Sequence, residues 1–135
     1  MKEGKVIESY LTHIDKEINK FNSNNNLKEF CLSLKKYNNT LKELTSWIQD
    51  NLKTNQDAVN VAATEYLNIF ALVSIGLMWL KMADVAYRKI GENKDFYKSK
   101  IDCASIFFTR ILTRIDAYSN VKSSGDIIMN YNFEN

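Results

Sequence analysis

The chain has 135 residues, 45% hydrophobic and 25% charged, with net charge +2, four glycines and no proline. That length predicts one domain with one sizeable core. The shortage of glycine and proline argues against a doubly wound nucleotide-binding sheet or a β-sandwich, and the spread of charge excludes a nucleic-acid footprint or a polybasic membrane anchor.

The first predicted helix runs from about Lys5 to Phe21. Val6, Ile7, Tyr10, Leu11, Ile14, Ile18 and Phe21 recur every three or four residues and form one apolar stripe. The run FNSNNN then ends it, because Asn and Ser side chains compete for backbone hydrogen bonds. A second helix spans about Leu27 to Leu52, with Asn25 or Asn26 as its N-cap. Its stripe is Leu27, Phe30, Cys31, Leu34, Tyr37, Leu41, Leu44 and Ile48. Lys28, Lys35, Lys42 and Glu43 lie off that face and read as solvated.

The third helix, from about Asp57 to Ile90 with Asn55 or Gln56 near its start, is apolar on more than one face between Tyr66 and Met82. That predicts a central helix touching several neighbours. Alanines 58, 62, 63, 71, 83 and 86, with Gly76, would let those neighbours approach closely. Its run Ile69–Leu80 is shorter than the ~20 residues that cross a bilayer, so it reads as core. Gly91 is the expected left-handed C-cap. The fourth helix runs from about Lys94 to Tyr118, burying Phe96, Tyr97, Ile101, Ala104, Phe107, Phe108, Ile111, Leu112, Ile115 and Tyr118. A tail, Ser123–Asn135, carries Ile127, Ile128, Met129, Tyr131 and Phe133 and reads as a short docked segment. The expected fold is all-α: one domain over 1–135, an antiparallel four-helix bundle with a short docked C-terminal segment.

Catalytic chemistry is sparse. His13 is the one histidine, set beside the first stripe, and no serine lies in a GxSxG context. No Cys-x-x-Cys, His-x-x-x-His or Glu-x-x-His pair points to a metal, and no glycine-rich phosphate loop is present. Cys31 and Cys103 read as small buried apolar groups. Glu65 and Asp84, nearest the apolar part of the third helix, could act as general bases if buried, although Arg88 stands four residues after Asp84 as an ordinary helical partner. Arg110 and Arg114 form a basic pair that could hold a partner or the tail's carboxylates, with a solvated face as the default. Trp47, Trp79, Phe107 and Phe108 could line an acyl pocket but are more simply core. No catalytic, cofactor-binding or metal residue is therefore assigned. The N-terminus MKEGKVIESYL has no apolar h-region, which predicts no signal peptide and a cytoplasmic protein.

Two stretches are more specific: AATEYLNIFALVSIGLMWLKMADVAYRKI (62–90) and FYKSKIDCASIFFTRILTRI (96–115). They resemble the C-terminal accessory helical domain of a subset of bacterial acyl-CoA dehydrogenases, including the 3-methylmercaptopropionyl-CoA dehydrogenase type. The aromatic-Leu, Phe-small and Met-Trp-x-x-Met-Ala pattern falls on Tyr66, Leu67, Phe70, Ala71, Met78, Trp79, Met82 and Ala83. The second pattern falls on Phe96, Tyr97, Lys100, Ala104, Phe107, Phe108 and Arg110, and the closing piece on Gly125, Met129 and Phe133. The resemblance extends to GKVIESYLTHI, which looks like the junction with an upstream catalytic body. Thr113 stands where that family often has proline, and Ala71 where it often has glycine; both favour a continuous helix.

The resemblance implies a non-catalytic part of a flavoenzyme. Relatives of full length resemble FAD proteins that oxidise the Cα–Cβ bond of an acyl-CoA thioester, with glutamate and flavin in upstream domains. No residue here matches those groups, so no cofactor is expected in this chain and FAD in the upstream ones. The implied partner is an upstream or separately encoded acyl-CoA dehydrogenase body, with homo-oligomerisation left open, and neither nucleic acid nor membrane. The rival reading is a free-standing helical interaction module without enzymatic role.

Overall fold

The computed structural model describes residues 2–118. Four long helices pack together as a four-helix bundle: α1 Lys2–Asn19, α2 Lys28–Asn51, α3 Gln56–Lys89 and α4 Lys94–Ile106. A 3-10 turn, Asn25–Leu27, leads into α2, and the path of α4 continues through Phe107–Tyr118. The expected tail Ser123–Asn135 lies outside the described residues.

Asparagines cap the starts of α3 and α4. The Asn55 side chain accepts from the Ala58 N–H at the start of α3, as expected, and Asn93 does the same for Phe96 at α4. At α2 the cap is shifted. Asn24, not Asn25 or Asn26, accepts from the Asn26 N–H and caps the 3-10 turn instead. Gly91 also departs from expectation, since no described residue has positive φ. The chain leaves α3 with Ile90 still right-handed and a Glu92 N–H to Lys89 carbonyl bond of 2.9 Å, so the turn closes without left-handed backbone.

The core is a continuous cluster of inward stripes. Leu11, Ile14 and Ile18 from α1 meet Leu27, Cys31, Leu34 and Leu41, then Ile69, Val73 and Leu80 of α3. Across the bundle Phe107, Phe108, Leu112 and Ile115 close it. Helix α3 packs against α1, α2 and α4, which makes it the axis. By length and composition it could cross a membrane; here three other helices pack along it. Val6 falls outside the first stripe at 67% exposed, while Ile7 beside it packs against the core and Gly4 lies against Gln49 of α2, so Val6 faces away from the bundle.

The last twelve described residues interrupt the hydrogen-bond ladder of the expected continuous helix. Phe107–Ile111 forms a π-turn and Leu112–Arg114 a 3-10 turn before Ile115–Tyr118 returns to α. The backbone stays right-handed at Ile106, Leu112 and Ile115, so the ladder changes register and the path is kept. The widened turn sits where two consecutive rings enter the core: Phe108 stacks on Phe30 at 4.5 Å and Phe107 on Trp79 at 6.4 Å. Thr113 supports this stretch by donating its hydroxyl to the Thr109 carbonyl at 3.1 Å. Absence of proline is therefore not enough for an unbroken α ladder.

Candidate functional site

The described surface holds one extended apolar row. Leu67, Ile75, Met78, Met82 and Val85 of α3 are all exposed, with Leu67 at 65% and Met78 at 64%, and Ala71 lies exposed between them. At 3.6 residues per turn these six positions occupy about 80° of arc, opposite the arc of Ile69, Val73, Leu80 and Ala83. The multi-faced hydropathy of α3 therefore has two causes. One face is the core; the other is covered by no described residue. Alanines 58, 62, 83 and 86 are buried close-approach positions as expected, whereas Ala63 and Ala71 face outward.

The row ends in a groove. Met82, Val85 and Ala86 of α3 with Phe96 and Tyr97 of α4 line about 340 Å³, rimmed by Lys81 and Lys100. Phe96, expected in the core, is 50% exposed here. It stands edge-on to Tyr97 at 5.1 Å, with the Lys100 ammonium 5.2 Å from its ring centre. The physical reason is position: Phe96 lies in the first turn of α4, where the helix has not yet come under the cover of α2.

Polar ties fix the angle at which the row is presented. Glu17 of α1 reaches Lys81 of α3 at 3.3 Å and Lys20 at 2.7 Å. The Lys20 hydrogen bond lowers its pKa, opposed by desolvation and helped by Lys81. Asp15 takes a hydrogen bond from Asn38 at 2.9 Å and a close ion pair from Lys42, joining α1 to α2. Lys42 is thus a half-buried tie, not the solvated group expected. Tyr10 and Ser74 share a 2.8 Å hydrogen bond between α1 and α3. Tyr37 donates to Asp116 at 3.0 Å; burial first, then that carboxylate, pushes the phenol up to about 12. Apart from Glu17–Lys20 at i,i+3, no spacing in the sequence announces these pairs, since their partners are 23 to 79 residues apart.

The chemical candidates do not converge. His13 is mostly exposed on α1, 3.9 Å from Glu17. Asp84 is held by Arg88 at 2.9 Å, the helical pairing expected. Glu65 is half-buried, and its Oε2 is buried with no hydrogen-bond partner; no nucleophile or second acid stands with it among the described groups that line a cavity. Arg110 and Arg114 are both exposed, and Asp116 is engaged by Tyr37 and Lys36. Cys31 is buried, which raises its thiol pKa, but Cys103 is exposed, because Ala104 takes the inward position beside it. Trp47 and Trp79 are half-buried against the core, and Phe107 and Phe108 are inside it. Among the described residues, no group of three or more His, Cys, Asp or Glu could hold a metal ion.

These residues do not fit a flavin either. The groove is at the small end of the range for ligand pockets, its walls are apolar, and the α4 start beside it is already capped by the Asn93 side chain.

What fold and surface define is a helical bundle that presents an apolar face. Residues 14–130 match a family described as acetyl-CoA dehydrogenase C-terminal like. The chain belongs to that family, a C-terminal domain type found in acyl-CoA dehydrogenases. Residues 1–13 lie outside the match. No curated protein and no solved structure matches the chain.

Proposed function

We propose that this chain is the non-catalytic accessory domain of an FAD-dependent acyl-CoA dehydrogenase-like oxidoreductase of the 3-methylmercaptopropionyl-CoA dehydrogenase type, working in the cytoplasm. Its task is packing. The outer face of α3 docks on the catalytic body, carried in the same chain or encoded separately, or on a neighbouring subunit. Flavin and the proton-abstracting glutamate belong to that body.

The observation that carries this reading is the exposed row from Leu67 to Val85 on the axial helix. Large apolar patches on a polar-rimmed surface mark interaction sites, and burying one Leu or Met side chain contributes about 1.5–3 kcal/mol. A rigid helix held by Glu17–Lys81 and Tyr10–Ser74 loses little freedom on docking.

The test is co-purification of the tagged chain with an acyl-CoA dehydrogenase body of the same genome that lacks this domain. The native chain should elute with the body, and Leu67→Asp with Met78→Asp should abolish co-elution while leaving thermal unfolding within about 0.5 kcal/mol of native. If the native chain ignores every such body, the dehydrogenase reading is wrong and the free-standing interaction module takes its place.

A further inference from the structure

We propose that the outer face of α3 is self-complementary and pairs with the same helix of a second copy, antiparallel, about a two-fold axis between Ala71 and Ile75. This rests on the outer face of α3 being the docking face, and it names the neighbouring copy's α3 as the occupant. The exposed row is longer than its apolar part. Asp57, Asn60 and Thr64 precede Leu67, Lys89 follows Val85, and all four are exposed. At 3.6 residues per turn they fall within the same arc of about 80° as Leu67 and Val85. Steps of three and four residues from Asp57 to Lys89 make one seam, of the kind that packs along another helix at a small crossing angle.

Charge sets the direction. The seam carries an acid, Asp57, in the first turn of α3 and a base, Lys89, in the last. The other charged groups of α3 lie off it: Lys81 reaches Glu17, Arg88 holds Asp84, and Glu65 is half-buried. A parallel pair would bring acid to acid and base to base. An antiparallel pair sets Asp57 against the partner subunit's Lys89 at both ends and aligns the two helix dipoles head to tail. The same register places Leu67 against the partner's Met78 and Ala71 against the partner's Ile75. A small residue then faces a large one nearest the axis, where the helices approach most closely.

Area sets the register. Overlap from Asp57 to Lys89 is about 48 Å long and about 10 Å wide, so a pair covers about 1,000 Å² in all, the lower bound for a specific interface. Sliding the copies until Leu67 meets the partner's Val85 would match apolar to apolar along the row. It would also shorten the overlap by about a fifth and carry Asp57 beyond the end of the partner helix. Because the two-fold uses one patch on both copies, assembly closes at two.

Sedimentation velocity of the full chain from about 1 to about 300 µM reads the pairing, the range in which so small an interface associates. The native chain should pass from monomer to dimer and no further. Leu67→Asp with Met78→Asp should weaken association about a hundredfold and leave thermal unfolding of the monomer unchanged, because both residues are exposed. Lys89→Asp should weaken it about tenfold, since the two-fold counts each change twice. Asp57→Lys placed in the Lys89→Asp chain should restore it, although both substitutions oppose the dipole of their own helix. A chain that stays monomeric overturns the proposal, and so does a dimer indifferent to Leu67→Asp with Met78→Asp. A Lys89→Asp loss that Asp57→Lys does not restore overturns the antiparallel pairing. The dehydrogenase reading fails separately: a dimer that ignores every dehydrogenase body removes that reading alone, and a monomer that co-elutes with such a body removes the pairing alone.

Discussion

A Cβ placed on Gly76 would stand 2.7 Å from Cδ1 of Leu34 and 3.4 Å from the ring of Phe107. Leu34 is fully buried, so its methyl can move only by displacing its neighbours. Gly76 is where α2 and the π-turn close on the axial helix. Gly76→Val is expected to destabilise by about 1–3 kcal/mol through overpacking, beyond what better helix propensity returns. Gly91 is the counterpart: no atom lies within 4 Å of its built Cβ and its φ is not positive. Gly91→Ala should therefore be neutral or stabilise by up to about 1 kcal/mol. Urea unfolding of the two variants checks both signs; a Gly76→Val chain as stable as the native one would show the contact to be absent.

The core face of each helix was legible in the sequence because periodicity reports burial directly. Leu11, Ile14, Ile18, Leu34, Leu41, Ile69 and Ile115 are all inside as their spacing requires. Local chemistry was legible too, at the Asn55 cap and the Asp84–Arg88 pair. What periodicity could not separate is an apolar row facing the core from one facing a partner. Leu67, Met78 and Met82 have the same composition either way, and Phe96 differs from a core ring only by where α4 begins. Gly91 was misread because glycine permits a left-handed cap without demanding one. The π-turn at Phe107–Ile111 arises from rings contributed by α2 and α3, which no local spacing displays.

Trp79 is half-buried and stacked on Phe107 at 6.4 Å. Full burial would make Trp79→Ala cost 3–5 kcal/mol, but part of the indole is already in water. The expected loss is about 2 kcal/mol, roughly half the fully buried range. Trp79→Phe, which keeps a ring against Phe107, should recover more than half of it. A denaturant midpoint for Trp79→Ala equal to the native one would mean that the stacked pair is not formed.

Glu17 gives the bundle an acid-sensitive tie. Its pKa is lowered by the Lys20 hydrogen bond first, against desolvation, with Lys81 adding to the lowering. A depressed carboxylate pKa means that the unfolded chain takes up the proton first as pH falls. The stabilisation is complete above the ordinary value of 4.5 and is lost as pH falls through the lower folded value. Native and Glu17→Gln chains should differ in melting temperature at pH 7 and converge as pH falls from 4.5 through the lowered folded value. A constant difference across that range would show that the carboxylate charge contributes nothing.

Tyr37 acts in the opposite direction and at the other end of the pH scale. Burial, then the hydrogen bond to Asp116 at 3.0 Å, then that carboxylate's charge raise the phenol from 10 to about 12. A raised phenol pKa means that the folded chain keeps a proton which the unfolded chain loses. The contribution is therefore complete below pH 10 and is lost as pH rises from 10 to about 12. In a spectrophotometric titration at constant temperature, subtracting the Tyr37→Phe curve from the native one should leave a single phenolate appearing near pH 12 or at the unfolding transition. Asp116→Asn should bring that step down, because the charge on the acceptor is removed while a hydrogen-bond acceptor stays. A Tyr37 phenolate that forms near pH 10 in the native chain would show that the tie between α2 and the final turn at Ile115–Tyr118 is open in solution.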